Sequence, residues 1–266
     1  MAETHASEPV ETAKIASLVL RMPTMDDPLR WLASGWNDMR RAPALSLGYG
    51  AAFVIVGLLG TAGLWLIGWE AMVPVAAAGF ALLGPILALG LYEISRRLEL
   101  GLPIRLRDVA LVRTAAPAQL GFMAFLLIFI YLVWLRAATL LFALFAYDNF
   151  MPLNDMVAFV LTTPEGLAML VVGTLIGGLL ALITFVISAL SIPILMQKDV
   201  DAMTAMSASV EVMMDAPGPM LLWGWLIGIL TLFGFATMFV GLIVIFPLIG
   251  HATWHAYRSI IGDAKA

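Results

Sequence analysis

The sequence contains no cysteine and few charged residues, and each shortage excludes whole classes of protein. Without cysteine there can be no disulfide, thiolate nucleophile, iron–sulfur cluster or cysteine zinc site. Charged residues make up 12% of the 266 residues and hydrophobic residues 62%, well above the roughly 45–50% typical of soluble domains. So little charge could not cover a water-exposed surface. The composition therefore predicts an integral membrane protein, with the lipid bilayer as its main partner.

A basic excess and recognisable catalytic motifs are also missing. With 18 acidic and 14 basic residues, the chain has no clustered basic charge of the kind that binds nucleic acid. Residues 1–12 are small and acidic, so no signal peptide is expected. No Walker-type phosphate loop, HExxH motif or Ser-His-Asp order is present. An enzyme is not indicated.

The apolar segments predict an all-α, polytopic fold of six transmembrane helices arranged as three hairpins. A helix needs about 20 apolar residues to cross roughly 30 Å of hydrocarbon, and the longest blocks are long enough to fold back. After a cytoplasmic, partly disordered tail of residues 1–26, the membrane domain would cover residues 27–262. The predicted spans are about 45–68, 72–94, 118–137, 165–197, 219–237 and 240–258.

Finer features accompany this topology. Residues 137–147 are expected to extend or bend the third helix along the outer surface. Thr163-Pro164 resembles a helix start, with a capping hydroxyl before a first-turn proline. A tight turn near Met238 would join spans five and six.

The positions of the basic residues test the predicted number of spans independently, because cytoplasmic loops carry the excess of Lys and Arg. On the six-span topology only Arg136 lies on the outer side. The other basic residues all lie on one side: Lys14, Arg21, Arg30, Arg40, Arg41, Arg96, Arg97, Arg105, Arg107, Arg113, Lys198, Arg258 and Lys265. This separation favours six spans, with both termini in the cytoplasm.

An internal three-fold pattern accompanies the predicted hairpins. Ala-Pro occurs at positions 42–43, 116–117 and 216–217, each time just before an odd-numbered span, and each is preceded by an amphipathic cytoplasmic stretch. These stretches are residues 27–41, 106–114 and 200–214; in the third, Met203, Met206 and Val210 have helical spacing. The pattern predicts a repeated unit of in-plane helix, proline break and hairpin. Proline is also common at helix starts in general, so coincidence is the alternative.

Two small-xxx-small patterns predict close helix packing. They are the glycine pairs Gly173 with Gly177 and Gly224 with Gly228. Each pair could bind a neighbouring helix of the same bundle or a second protein.

Polar residues within the predicted spans are the candidates for function, because ionisable groups in a membrane are costly. His251 and His255 lie four residues apart on one face of span six. They could form a haem, metal or proton-relay site, or be neutral imidazoles bonded to a neighbouring helix. Glu93 is spaced to pair with Arg96 and Arg97. Arg136 could be a gate or an anion contact, or could simply extend its charge to the interface.

Several of these residues carry a resemblance to a known family. The run from Pro247 to Arg258, together with Trp31-Leu32, Gly35-Trp36-Asn37-Asp38 and Leu47-Gly48-Tyr49-Gly50, resembles domain of unknown function 2189, a family of predicted bacterial integral membrane proteins. The resemblance extends over nearly the whole chain from about Ile15. It implies a bacterial inner membrane location, and it brings no established activity or catalytic residue.

Members of that family are often described as similar to cytochrome c oxidase subunit I, and the histidines test that likeness. A subunit that holds two haems and a copper ion needs more histidine ligands than the three present here. What the resemblance still implies is an accessory role beside a respiratory or photosynthetic complex.

Three functions follow, in order of preference. The first is a non-enzymatic accessory or scaffold protein that associates with other membrane proteins or with itself. The second is a transporter or channel for a small solute or a lipid, favoured by the helices interrupted by Pro and Gly. The third is a redox subunit that uses His251 or His255, although no cofactor is predicted.

Overall fold

The computed structural model describes residues 18–146 and 153–262, and most of them are helical. In chain order the helices are α1 (Asp27–Arg41), α2 (Pro43–Leu66), α3 (Val73–Leu82), α4 (Gly84–Leu87), α5 (Leu89–Glu99), α6 (Leu106–Ala110), α7 (Pro117–Phe145), α8 (Leu153–Thr162), α9 (Pro164–Ser188), α10 (Ser191–Gln197), α11 (Ala202–Asp215), α12 (Pro217–Ala236) and α13 (Leu242–Ile260). Most of the predicted tail, with Lys14 and Lys265, lies outside the described residues. So does the stretch 147–152.

Within the described ranges, four helices are long and apolar enough to cross a membrane. They are α2, α7, α12 and the continuous stretch Pro164–Gln197, which comprises α9 and α10. They correspond to predicted spans one, three, five and four, so the all-α membrane fold is confirmed to that extent. α7 continues as one helix to Phe145, so the residues after 137 extend the third helix, which was one of the two predicted alternatives. Thr163 caps α9 as predicted, accepting a hydrogen bond from the Gly166 amide.

Predicted spans two and six do not form long, continuous apolar helices. Residues 72–94 form the ten-residue apolar helix α3, the short helix α4 and the first part of α5. Pro74 and Pro85 cannot donate backbone hydrogen bonds, which favours breaks at such positions. α13 has 19 residues but is not among the four apolar helices, because its second half is rich in polar side chains. Between α12 and α13 the chain turns at Met238 and Phe239, whose φ angles are 53° and 69°.

The three Ala-Pro dipeptides share one local geometry. Ala42, Ala116 and Ala216 have φ/ψ of −131/55°, −124/68° and −130/61°, and each precedes a helix that begins at its proline. A residue before proline is kept out of the helical region by the proline ring, and proline fits the first helical position. The chain therefore changes direction in the same way at all three sites.

The well-packed part of the molecule, here called the packed end, consists of α1, α5, α10, α11 and the second half of α13. Residues 191–196 of α10 are all buried. The amides of Ala115 and Ala116, just before α7, donate to carbonyls of Met196 and Leu195. Most of the described basic residues belong to the packed end or to segments next to it.

α1 and α13 cross at very close range within the packed end. A Cβ atom added at Gly35 would lie 2.6 Å from the Ala252 backbone nitrogen, so only glycine fits without moving a helix. The Trp31 indole donates to Ser259 Oγ at 2.8 Å. Beside this crossing, Val19–Leu20 (β1) pairs antiparallel with Ile261–Gly262 (β2), which the sequence did not indicate.

The third amphipathic stretch forms a helix that buries its small residues. The helix α11 forms close to the predicted range, but Met203 is 57% exposed. Ala205, Ala208 and Val212 are instead fully buried. Small side chains allow the close approach of α11 to its neighbours.

The opposite end of the molecule, here called the apolar end, has the inverse character. It contains the second halves of α2, α7 and α12, the first half of α9, and α3 and α8. Many of its large side chains are exposed, including Leu66 at 87% and Leu144 at 72%. Such surfaces are expected where hydrocarbon replaces water as the solvent.

Candidate functional site

His251 lies at the centre of a buried hydrogen-bonded cluster in the packed end. It is fully buried, with its Nε2 2.9 Å from Ser46 Oγ and its Nδ1 2.8 Å from Ser95 Oγ. The serines belong to α2 and α5, so one imidazole joins three helices. Both ring nitrogens are therefore used by neighbouring hydroxyls.

His255, one turn further along α13, is paired with an acidic residue that sequence reasoning did not select. Its Nε2 lies 2.8 Å from Asp38 Oδ2 on α1. Burial raises the pKa of the Asp38 carboxyl, but hydrogen bonds from His255 and Ser95 and the attraction of a protonated imidazole together lower it by more, so the net pKa is below its ordinary value. Asp38 was noted only as part of the family resemblance, since its partner lies 217 positions away.

These contacts set the direction of the hydrogen bonds. An ionised Asp38 can only accept, so Ser95 donates to it and accepts from the Nδ1–H of His251. The Nε2 of His251 is then an acceptor for the Ser46 hydroxyl. A neutral imidazole satisfies the whole chain from Ser46 to Asp38.

A second cluster surrounds Glu93, which is only 2% exposed. Its carboxylate accepts from Arg96 Nε at 2.7 Å and Nη2 at 2.8 Å, and from Arg97 Nε at 2.6 Å. Arg97 also contacts Asp108 at 3.1 Å and the Pro103 carbonyl at 2.8 Å. This bidentate and shared pairing ties α5 to α6 and to the loop between them.

Near these clusters, a small polar pocket of about 450 Å³ is lined by residues that include Asn37, Asp38, Arg41, Glu99 and His255. Its charges are largely paired within the protein. Glu99, for example, accepts from Arg258 at 3.0 Å and from the Trp254 indole at 3.2 Å. The pocket therefore has a mixed electrostatic character that favours no single charge on a ligand.

The geometry bears on the haem hypothesis for the two histidines. An axial haem ligand must offer a free imidazole nitrogen, whereas both nitrogens of His251 are bonded and Nε2 of His255 is bonded to Asp38. In the part of the chain that the structure describes, no group of three His, Asp or Glu side chains is placed to hold a metal ion. His251 therefore does not fit as a haem ligand without rearrangement, and the absence of a cofactor stays a prediction.

The remaining predicted residues lie far from these clusters. Arg136 is exposed on α7, and among the described residues no carboxylate is within ion-pair distance of it. A Cβ added at Gly177 would meet the Trp134 ring at 2.9 Å, and one at Gly173 would lie 3.6 Å from Leu141. This glycine pair therefore faces α7 of the same chain.

In the second glycine pair, only one of the two glycines lies against another helix. A Cβ added at Gly224 would lie 3.5 Å from the Phe185 ring, so this residue faces α9, whereas one at Gly228 would meet nothing within 4 Å. Gly228 is also exposed.

An apolar cavity of about 1470 Å³ lies between the helices. It extends between α2, α3, α7, α9, α12 and α13, and its walls are almost entirely hydrocarbon and aromatic. Ligand pockets in proteins commonly measure about 300–1000 Å³. Sequence reasoning missed this cavity, and no local pattern could have shown it, because its walls come from helices distant in the chain.

Two buried polar groups at the cavity wall have no hydrogen-bond partner among the described residues. Thr184 Oγ1 and Trp223 Nε1 are buried without a hydrogen bond, and both residues line the cavity. They belong to α9 and α12.

Comparison with known proteins agrees with the membrane character of the chain. Among curated proteins and among solved structures, no match was found. One family model matches, over a segment that includes neither the residues 31–50 nor the run 247–258 that carry the sequence resemblance. The chain is an integral membrane protein with several apolar helices. Its residues 72–197 match the family described as predicted integral membrane protein (DUF2189), which confirms the resemblance to domain of unknown function 2189 over that segment.

Proposed function

We propose that this protein binds a lipid-like molecule in the apolar cavity between its helices and acts as a lipid carrier or transporter in the membrane. The observation that carries the proposal is the size of the cavity, about 1470 Å³, together with its apolar walls. A water-filled space of this kind would expose hydrocarbon to water and would be unfavourable. An occupant with hydrocarbon chains removes that cost.

The proposal includes the topology predicted from the sequence. Six spans, with both termini on the cytoplasmic side of a bacterial inner membrane, would place the packed end in the cytoplasmic half and the apolar end in the outer half. The common geometry of the three Ala-Pro sites supports three repeated units. The collection of basic residues near the packed end supports the orientation.

The orientation can be tested directly because the native chain has no cysteine. We expect Arg113→Cys and Lys198→Cys to be protected from a membrane-impermeant thiol reagent in intact cells and to react after permeabilisation. Trp69→Cys, at the turn after α2, should react in intact cells. Labelling of Arg113→Cys or Lys198→Cys from outside would disprove the proposed orientation.

Lipid binding can be tested by filling the cavity. Ala77 on α3 lines it, whereas Ala52 on α2 is exposed and does not. Purified Ala77→Phe should retain much less lipid after detergent extraction than the native chain, measured by mass spectrometry of organic extracts. The matched variant Ala52→Phe should retain the native amount. Equal lipid content in all three, or no retained lipid in the native chain, would contradict the proposal.

A second candidate function is the accessory role, supported by Gly228, which is exposed on α12 and also lines the cavity. An exposed glycine on a membrane helix allows the close approach of another helix. Gly228→Leu should then abolish co-purification of a membrane protein at fixed stoichiometry, whereas Gly178→Leu, at another exposed glycine that lines the cavity and has open space around it, should not. Purification of the native chain without any stoichiometric partner would contradict this role.

A further inference from the structure

We propose that residues 100–113, here called the α6 segment, form a binding surface for anionic phospholipid where the packed end meets the membrane. Exposed leucines of the segment insert into the edge of the hydrocarbon layer, and its arginines bind the phosphate groups of the lipid. This inference goes beyond the apolar cavity and does not depend on what the cavity holds.

The leucines of the α6 segment are exposed, although the segment packs against the well-packed end of the molecule. Leu106 is 71% and Leu111 78% exposed, and Leu100 and Leu102 are exposed as well. Leucines at the apolar end have similar exposure. An exposed group of large apolar side chains marks a contact with another apolar surface or with lipid.

The position of α6 places these leucines beside a membrane-crossing helix rather than beyond its end. A Cβ added at Gly90 on α5 would lie 2.5 Å from the Tyr49 ring and 2.8 Å from the Val109 carbonyl oxygen, so α2 and α6 meet the same point of α5. Tyr49 lies six residues after Pro43, about 9 Å along α2. The 24 residues of α2 span about 36 Å, against roughly 30 Å of hydrocarbon. Val109 therefore lies at or just inside the hydrocarbon boundary, the depth at which interfacial helices bind.

The arginines of the α6 segment provide charge complementary to phosphate. Arg105, Arg107 and Arg113 are exposed, and among the described residues no carboxylate is within ion-pair distance of Arg105 or Arg113. Arg107 lies 3.6 Å from Asp108, whose carboxylate also lies 3.1 Å from Arg97. The segment therefore keeps positive charge that the protein does not neutralise.

This combination favours a lipid with a net negative charge. Guanidinium groups form charge-assisted and often bidentate hydrogen bonds with phosphate, and the long arginine side chain reaches from the hydrocarbon edge to the head groups. Basic residues beside a membrane attract anionic lipid. A zwitterionic lipid also carries a phosphate, but its ammonium group cancels the charge.

The first experiment compares two lipid classes on the full chain, purified in mild detergent and freed of bound lipid. Thermal unfolding is followed while phosphatidylglycerol, or phosphatidylcholine with the same acyl chains, is added. Phosphatidylglycerol should raise the melting temperature at a much lower concentration. In Arg105→Gln/Arg107→Gln, the phosphatidylglycerol concentration that gives half of the shift should rise about 30-fold, because each basic residue near a membrane contributes about fivefold to the attraction.

Two controls show whether the effect belongs to the α6 segment. Arg30→Gln/Arg40→Gln removes the same charge from exposed positions of α1 and should keep the native preference for phosphatidylglycerol. Ala77→Phe, which fills the cavity, should also keep it, whether or not the cavity holds lipid. Equal responses of the native chain to both lipids, equal losses in the two arginine pairs, or loss of the preference in Ala77→Phe would each overturn the inference.

The second experiment tests the leucines, and it uses the absence of native cysteine. A fluorophore is attached to Leu111→Cys in vesicles of phosphatidylglycerol and phosphatidylcholine. Lipid brominated on its acyl chains should quench the fluorescence, and aqueous iodide should not. The same label at Ala33→Cys, an exposed position at the polar pocket, should show the reverse. Quenching at Leu111→Cys by iodide and not by brominated lipid would place the leucines in water, as in a surface that binds another protein, and would overturn the inference.

Discussion

The two ends of this molecule are built on opposite principles. In the packed end, residues 191–196 are all buried. Asp38 and His251 are held by hydrogen bonds to neighbouring helices, and Glu93 by two arginines of its own helix. In the apolar end, leucines are exposed, and a cavity of about 1470 Å³ separates the helices. One end holds the helices together, while the other leaves space between them.

The difference indicates where this protein obtains its stability. Lipid is as apolar as a leucine side chain, so burial of hydrocarbon contributes little to helix association in a membrane. Close packing and hydrogen bonds must supply it instead, and both are concentrated in the packed end. The apolar end is then free to keep an open cavity without loss of the fold.

The strongest test of this contrast is the same substitution at both ends. Leu195, fully buried in α10, and Leu66, 87% exposed at the end of α2, can each be changed to alanine. Leu195→Ala should lower the free energy of unfolding by about 2–5 kcal/mol because it leaves a cavity. Leu66→Ala should change it by less than about 0.5 kcal/mol. Chemical denaturation in detergent measures both, and equal losses would contradict the division into two ends.

Glu93 allows a similar comparison between a buried carboxylate and an exposed one. Glu93→Gln should cost about 3 kcal/mol, since it removes the carboxylate shared by Arg96 and Arg97 and leaves both cations without it. Glu165→Gln, at an exposed position in the first turn of α9, should cost less than about 1 kcal/mol. The apparent melting temperature in detergent reports the difference. A Glu93 variant as stable as the Glu165 variant would show that the cluster contributes nothing.

A substitution at the helix crossing of Gly35 should lower the stability by less than the two changes above, through steric overlap. Gly35→Ala should cost about 1–3 kcal/mol, because the added Cβ overlaps the Ala252 backbone and forces α1 away from α13. Gly48→Ala, in α2 with nothing within 4 Å of an added Cβ, should be neutral or stabilising by up to about 1 kcal/mol. Thermal unfolding should rank the two variants in this order, and the reverse order would contradict the close crossing.

The smallest effect is the pH dependence of Asp38. Because its folded pKa is lowered, its carboxylate stabilises the fold above the ordinary value of about 3.9, and this stabilisation is lost as pH falls through the lower folded pKa. At pH 7 the free energy of unfolding of the native chain should exceed that of the Asp38→Asn variant by about 1 kcal/mol. This difference in the free energy of unfolding should disappear below about pH 4, as measured by denaturation at each pH. A gap that widens on acidification would contradict the sign.

Local patterns predicted much of the fold. Runs of apolar residues long enough to cross a bilayer identified α2, α7, α12 and the stretch Pro164–Gln197, since length and hydropathy are properties of a contiguous segment. The range 27–41 was predicted with the bounds that α1 has. The Ala-Pro positions were predicted as breaks, because proline restricts its own and the preceding residue.

The candidate site was less predictable. Glu93 with its two arginines lies within one helical turn and was visible as a spacing. The partners of His251 and His255 were not, because Ser46, Ser95 and Asp38 come from helices far away in the chain. Likewise, Trp223 and Thr184 attract no attention in an apolar run. Only their joint burial beside a cavity makes them unusual.

The amino-acid sequence by itself determined that this protein enters a membrane, which segments are apolar helices and where prolines interrupt them, since these follow from hydropathy and backbone restriction within short segments. Tertiary structure alone decided which face of α11 is buried, which acid meets His255 and where the helices leave a cavity. Those outcomes depend on the distances between residues that are remote in the chain, and such distances are set by the packing of all the helices together.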